Sequence, residues 1–321
     1  MAKQKNYNLI ALGLVVLIAG VLLAAEFIGF PGGKTSGRAD TNQPGPAATG
    51  TAEPAAPETA PAAKPESVGS AENTESAENT ESAGNQAKTN PDSIPGGSFS
   101  WWYSRQPNHQ APKTDPNFQK VLNGSGVWLG STSQKRVYLT FDEGYENGYT
   151  AKILDTLKNH QVRAIFFVTG DYLDKNPNLV KRMANEGHLI GNHSQNHPSF
   201  PTLTEEAMRR EIEPVNQKIL QLTGQQPRYF RPPGGAFDKR TVKVASELGC
   251  RTTFWSFAYR DWRVDQQPGK AAAYREVINN VHNGAVVLLH AVSSSNAEAL
   301  DEILTELERQ GYSFGSLDEI K

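Results

Sequence analysis

Two adjacent carboxylates, Asp142 and Glu143, close the apolar run Tyr138-Leu139-Thr140-Phe141 and are followed at once by Gly144. The run reads as a buried strand, and side chains at consecutive strand positions leave to opposite sides. One carboxylate can then face a metal while its neighbour faces a water or a substrate. Taken alone, the fragment also reads as a strand cap with solvated acids. Downstream, His193 and His197 follow the apolar run His188-Leu189-Ile190-Gly191 at a spacing of four, which puts both imidazoles on one face if the segment coils. Imidazole nitrogen suits zinc and its first-row neighbours, and a carboxylate beside two histidines makes three protein ligands with room for water. Chance pairs at this spacing are common, and His197-Pro198 also reads as punctuation that ends the segment.

Three further fragments carry chemistry. Arg231 precedes Pro232-Pro233-Gly234, a cation on a stiffened loop that could orient a carboxylate bidentately. A surface Arg in a Pro turn fits the same fragment. Asp261-Trp262 follows an aromatic-rich run, and Val286-Val287-Leu288-Leu289 ends in His290, which could equally be a capped core histidine.

These residues need elements to hold them. Apolar, β-branched and aromatic runs predict strands at 137–141, 165–168, 188–191, 229–231, 252–257, 285–290 and 312–314. Helical patterns lie between them near 149–159, 177–186, 204–223, 239–248, 270–282 and 296–310. Ser295 to Glu298 reads as a capping box, Gly187, Gly224, Gly249 and Gly311 close four helices, and Pro214 is placed to kink the longest. About seven strands alternating with helices mean a parallel β/α architecture. Asp142, His193, Arg231, Asp261 and His290 each fall at or just past a strand's C-terminal end. A barrel gathers such ends at one mouth, so a distorted (β/α) barrel is expected over an open sheet.

Composition limits the folded part. Residues 9–25 form an apolar run long enough to span a bilayer, with Lys3 and Lys5 before it and Glu26 after it. The charge bias puts the N-terminus inside and the rest outside, so residues 1–30 are expected to be a membrane anchor or signal segment. Residues 31–98 are dominated by Pro, Ala, Gly, Glu, Asn, Ser and Thr, repeat Ser70-Ala-Glu-Asn-Thr-Glu75 as residues 76–81, and are expected to be a disordered tether. Residues 99–136 would extend the domain and pack on it, leaving 137–321 as the catalytic domain. Of 32 basic and 34 acidic residues, 6 and 10 precede residue 99. The remainder is near neutrality, which argues against a nucleic-acid partner. The single Cys250 excludes an intramolecular disulfide and reads as a buried thiol.

In this order, Thr140-Phe141-Asp142-Glu143-Gly144, His193-Ser-Gln-Asn-His197, Arg231-Pro-Pro-Gly234, Asp261-Trp262 and Leu288-Leu289-His290 resemble the five motifs of the polysaccharide deacetylases, carbohydrate esterase family four. The resemblance runs from about residue 137 to 317. It implies a distorted (β/α) barrel and metal-dependent removal of acetyl groups from N-acetylated sugars in polymers. Position by position, it makes Asp142 the general base, oriented by Arg231, and His290 the general acid, held by Asp261. His193 and His197 would hold a divalent metal, zinc first, with cobalt or another first-row ion as alternatives. Trp262 and Leu288 would wall the acetyl methyl. Glu143 stands where the family usually has a second Asp as ligand, so it would be the third ligand with a longer reach.

Phe141 to Thr150, Asn296 to Asp301, and the upstream Trp101-Trp102-Tyr103 and Val127 to Gly130 are similar to the muramic δ-lactam-forming de-N-acetylases of spore cortex peptidoglycan. That subgroup implies a peptidoglycan glycan strand as partner, prior action of a muramoyl amidase, a location in the wall space outside the membrane, and Tyr145 at the substrate. A monomer is expected. Two alternatives stay open: deacetylation of N-acetylglucosamine in peptidoglycan or a chitin-like polymer, and a wall-binding module whose catalysis was lost with the change at Glu143.

Overall fold

Residues 97–321 are described by a computed structural model. The expected anchor at 1–30 and almost all of the expected tether at 31–98 lie outside the described residues. Among the described residues no helix is long and apolar enough to cross a membrane.

The described chain enters through β1 (Phe99–Ser100) and α1 (Pro116–Leu122) before β2 (Arg136–Glu143), the strand that carries the paired carboxylates. Strands and helices then alternate through α2 (Thr150–Asn159), β3 (Ile165–Val168), α3 (Gly170–Lys175), α4 (Pro177–Asn185), β4 (Leu189–Asn192) and α5 (Glu205–Thr223). The second half runs β5 (Tyr229–Phe230), β6 (Ala236–Phe237), α6 (Lys239–Glu247), β7 (Arg251–Thr252), α7 (Lys270–Asn280), β8 (Ala285–His290), α8 (Ser294–Arg309) and β9 (Ser313–Phe314). The main sheet is parallel, in the order β7-β5-β4-β3-β2-β8, with β9 beside the start of β2.

Because β8 returns to the free side of β2, the sheet curls, and its remaining gap lies between β7 and β8. The predicted strand at 252–257 spans that gap and is regular only at β7. Beyond it Val127 bridges Thr253, Leu129 bridges Ala285, and Phe257 bridges Val287. Residues 127–129 thus act as an irregular stave, while β1 pairs antiparallel with β6. Trp101 stacks on Phe254 at 4.3 Å and donates from Nε1 to the Trp255 carbonyl at 2.9 Å.

Alternation along β2 creates two apolar layers. Val137, Leu139 and Phe141 face the helices, where Phe141 stacks on Phe166 at 5.1 Å and packs with Leu154, Leu157, Leu300 and Leu304. Tyr138 points into the curl with Phe167, Tyr229 and Val286. Fully burying side chains of this size contributes ~1.5–3 kcal/mol each, so shifting β2 by one residue would forfeit both layers.

Several boundaries differ from expectation. β2 runs two residues further than predicted and includes both carboxylates. The N-cap of α8 is Ser293, whose side chain accepts from the Asn296 N–H, whereas the Ser295 hydroxyl accepts from the Gly269 N–H at 2.9 Å. α5 continues through Pro214. The short helices α1 and α3 were too brief to leave a periodic signal.

Candidate active site

Asp142 lies on the inner face of β2, one pleat beyond Thr140. Its Oδ1 accepts from Nη1 of Arg231 at 2.6 Å, and Arg231 Nη2 donates to Thr140 Oγ1 at 2.9 Å and to the Phe254 carbonyl at 3.3 Å. Arg231 leaves the end of β5, is fully buried, and lies with its guanidinium 4.1 Å from the centre of the Phe167 ring. Gly191 makes that stack possible, since a Cβ there would meet the Phe167 ring at 2.5 Å. Burial opposes ionisation of Asp142, but Arg231, with smaller help from His193 and His290, overcomes it and holds the carboxyl below its ordinary value. Asp142 is thus ionised and fixed in direction.

The histidine segment follows β4. His193 Nδ1 lies 2.8 Å from the Arg231 carbonyl, so Nδ1 carries the proton and Nε2 keeps its lone pair. That nitrogen faces Asp142 Oδ2 at 3.4 Å. The His197 ring sits edge-on to His193, with centres 4.8 Å apart. Burial lowers both histidines, His193 to about 4, so both are neutral near pH 7. Ser194 and His197 have φ of 69° and 58°, in the left-handed region that non-glycine residues rarely adopt. The strained turn is tied down by Asn192 Oδ1 accepting from Ser194 N at 2.7 Å and Ser194 Oγ accepting from His197 N at 2.9 Å. Glu211 of α5 adds two contacts, from Asn196 N at 2.7 Å and Asn196 Nδ2 at 2.8 Å. The Gln195 side-chain amide packs directly over Gly170, where a Cβ would meet it at 2.2 Å and force the amide to move.

Glu143 does not join the histidines. β2 continues through it, paired with Val168, so alternation sends its side chain to the helix side. It is fully buried, and among the described residues neither carboxylate oxygen has a partner within hydrogen-bonding geometry, though the Thr150 and Tyr172 hydroxyls lie close by. Burial, reinforced by the charges of Glu146 and Asp142, raises its carboxyl well above the ordinary value and so disfavours the charged form. The expectation that it is a third metal ligand came from its position in the family motif; with β2 running through Glu143, one carboxylate faces the site and the other enters the core.

On the far side of the mouth, His290 ends β8. Its Nδ1 lies 2.7 Å from Oδ1 of the fully buried Asp261. Burial disfavours charge on His290, yet Asp261 more than compensates and raises it above an ordinary histidine. Trp262 is about half exposed, its ring centre 5.7 Å from that of His290. Leu288 is buried one pleat below His290 on the same face of β8. Tyr145 is about half exposed at the tip of the loop after β2. Its neighbours fasten that loop: Glu146 Oε1 accepts from Gly148 N at 2.6 Å, Glu146 Oε2 from Tyr172 Oη at 3.1 Å, and Asn147 donates to the Val292 carbonyl at 2.9 Å. The sequence reading gave no role to Thr140, Phe167 or Glu211. The only signal was a polar Thr two positions before Asp142, on its face.

Among the described residues no three metal-binding side chains close into a ready-made site. The donors nonetheless suit a divalent cation. His193 Nε2 and Asp142 Oδ2 are both acceptors facing each other, and a ligating imidazole whose other nitrogen donates to a carbonyl is the usual supporting arrangement. His193 and His197 could hold such an ion with Asp142 alongside, and without Glu143.

An ionised carboxylate and an imidazole biased toward its protonated form, set around neutral histidines, form acid–base machinery for hydrolysing an acyl bond. Comparison with known proteins agrees. The polysaccharide deacetylase pattern matches residues 129–253. The peptidoglycan-N-acetylmuramic acid deacetylase PdaA of Bacillus subtilis is 44% identical over 231 residues, covering 71% of this chain and 88% of that protein. The peptidoglycan-N-acetylglucosamine deacetylase PgdA of Listeria monocytogenes is 37% identical over 188 residues, 59% of this chain and 39% of its own. The solved structure of Bacillus subtilis PdaA, described as a family 4 carbohydrate esterase, superposes with a TM-score of 0.68 over 71% of this chain and 98% of its own. The chain belongs to the polysaccharide deacetylase family, whose members are hydrolases and generally metal-dependent.

Proposed function

We propose that this chain removes acetyl groups from peptidoglycan, acting on peptide-free N-acetylmuramic acid and leading to muramic δ-lactam in spore cortex. The observation that carries the chemistry is the division of labour at the mouth: Asp142 pinned as a carboxylate by Arg231, and His290 held toward its protonated form by Asp261. Asp142 takes the proton of the attacking water. His290 gives a proton to the departing nitrogen as the C–N bond breaks, so the products are acetate and a free amine. Trp262 and Leu288 bound the space beside His290 where the acetyl methyl would lie. His193 and His197 would hold a divalent metal, which would supply Lewis-acid polarisation and a lowered water pKa.

The muramoyl reading is supported by the fastened loop that projects Tyr145 and by the likeness to PdaA. In this reading the substrate has lost its peptide to a muramoyl amidase, and the freed amine attacks the lactyl carboxyl with loss of water. Residues 1–30 anchor or export the protein so that residues 99–321 work outside the membrane on the glycan strand, as a monomer. The competing reading, N-acetylglucosamine deacetylation, is supported by the likeness to the Listeria enzyme. Mass spectrometry of peptide-free muropeptides treated with the protein decides: loss of acetyl followed by loss of water is expected. Turnover on N-acetylglucosamine residues alone would overturn the muramoyl reading and keep the chemistry.

A further inference from the structure

Asp261 accepts three side-chain or backbone donors at its two carboxylate oxygens. His290 Nδ1 lies 2.7 Å from Oδ1, the His290 backbone N–H reaches Oδ2 at 2.8 Å, and Asn296 Nδ2 reaches the same Oδ2 at 2.6 Å. Among the described residues, only Asn296 of these donors stands outside the His290–Asp261 pair. It is buried in the first turn of α8, where its backbone N–H donates to the Ser293 hydroxyl at 3.1 Å. The second hydrogen of its amide goes to the His290 carbonyl at 3.2 Å, and its Oδ1 accepts from the Tyr259 hydroxyl. A flipped amide would set its oxygen against a carboxylate and a carbonyl, both acceptors, so the network admits one orientation.

We infer that Asn296, oriented by Tyr259, is a positioning residue that clamps the Asp261 carboxylate in the plane that serves His290. Two of the three donors to Asp261 belong to His290 itself, leaving Asn296 to supply its carboxylate with a side-chain reference outside that pair. The helix start supplies one, because Ser293 and Ser295 also bind Gln267 Oε1 at 2.6 and 3.2 Å while Gln267 Nε2 donates to the Asp261 carbonyl at 2.6 Å. The loop bearing Asp261 and the helix bearing Asn296 are therefore locked together at two levels. The catalytic consequence rests on the reading of His290 as the general acid.

The test uses the full chain, peptide-free muropeptides, and the low-field proton resonance of a His290 Nδ1–H bound to Asp261. Asn296→Leu keeps the branching and heavy-atom count and removes the donors. Its kcat should fall ~10- to 100-fold, part of the ~10²–10⁴ that a positioned acid contributes, with KM unchanged and the resonance lost or broadened. Tyr259→Phe should shift the same resonance and lower kcat less. A folded Asn296→Leu with unchanged resonance and kcat would overturn the inference. If that variant does not fold, unchanged resonance and kcat in Tyr259→Phe would do so. His290→Asn separates the two ideas: retained activity there would sink the general-acid reading, while the resonance in the variants that keep His290 reports on the clamp independently of turnover.

Discussion

Asp142 and Glu143 are neighbours in sequence, both buried, and opposite in chemistry. Asp142 turns inward to a fixed guanidinium that favours its charged form, while Glu143 turns outward among helix side chains, finds no hydrogen-bond partner among the described residues, and has its charged form disfavoured. The strand pleat separates them, and the two sides of the sheet then set their charge. Burial alone does not decide ionisation; the partner met at the buried end does.

Each way of testing that contrast has an expected size. Asp142→Asn removes the proton acceptor while leaving a side chain of the same shape, and activity should fall ~10²–10⁴-fold in a deacetylation assay. An equal loss in Glu143→Gln would break the comparison. Arg231→Met strands the Asp142 charge in the curl, and removing one partner of a buried pair costs ~3–5 kcal/mol, readable by denaturant unfolding. His193→Gln should abolish tight zinc binding measured by titration calorimetry, whereas Glu143→Asp should leave it unchanged, because that carboxylate lies on the wrong side of β2.

The smallest effect is the pH dependence of stability. Glu143 binds its proton more tightly folded than unfolded, so the folded state holds more protons as pH rises above the ordinary value of 4.5. Stability attributable to this group is complete below that value and falls as pH rises toward the folded pKa, at up to ~1.4 kcal/mol per pH unit. Glu143→Gln should flatten that slope and raise the melting temperature at neutral pH, measured by thermal unfolding between acid and neutral buffers.

Much of this site was legible because its residues end apolar runs. Asp142, His193, Arg231 and His290 could each be placed at a strand end from the run before it, and parallel strands carry such ends to one rim. Asp261 and Trp262 came with the loop after a predicted strand. What escaped were contacts between elements far apart in the chain: Thr140 supporting Arg231, Phe167 beneath the guanidinium, Glu211 bracing the His197 turn. Residues 127–129 read as part of an upstream extension, yet they fill the gap between β7 and β8, a role visible only once the sheet has curled.

The sequence by itself determined the alternation of strands and helices, the identity of the groups at the mouth, and the membership of the chain in its family, because these follow from local periodicity and from residue types in order. Tertiary structure alone decided which side of the sheet each of the two adjacent carboxylates faces. That choice depended on β2 pairing two residues further, through Asp142 with His290 and through Glu143 with Val168, and hydrogen bonding to distant strands, not the run of side chains, sets where a strand ends.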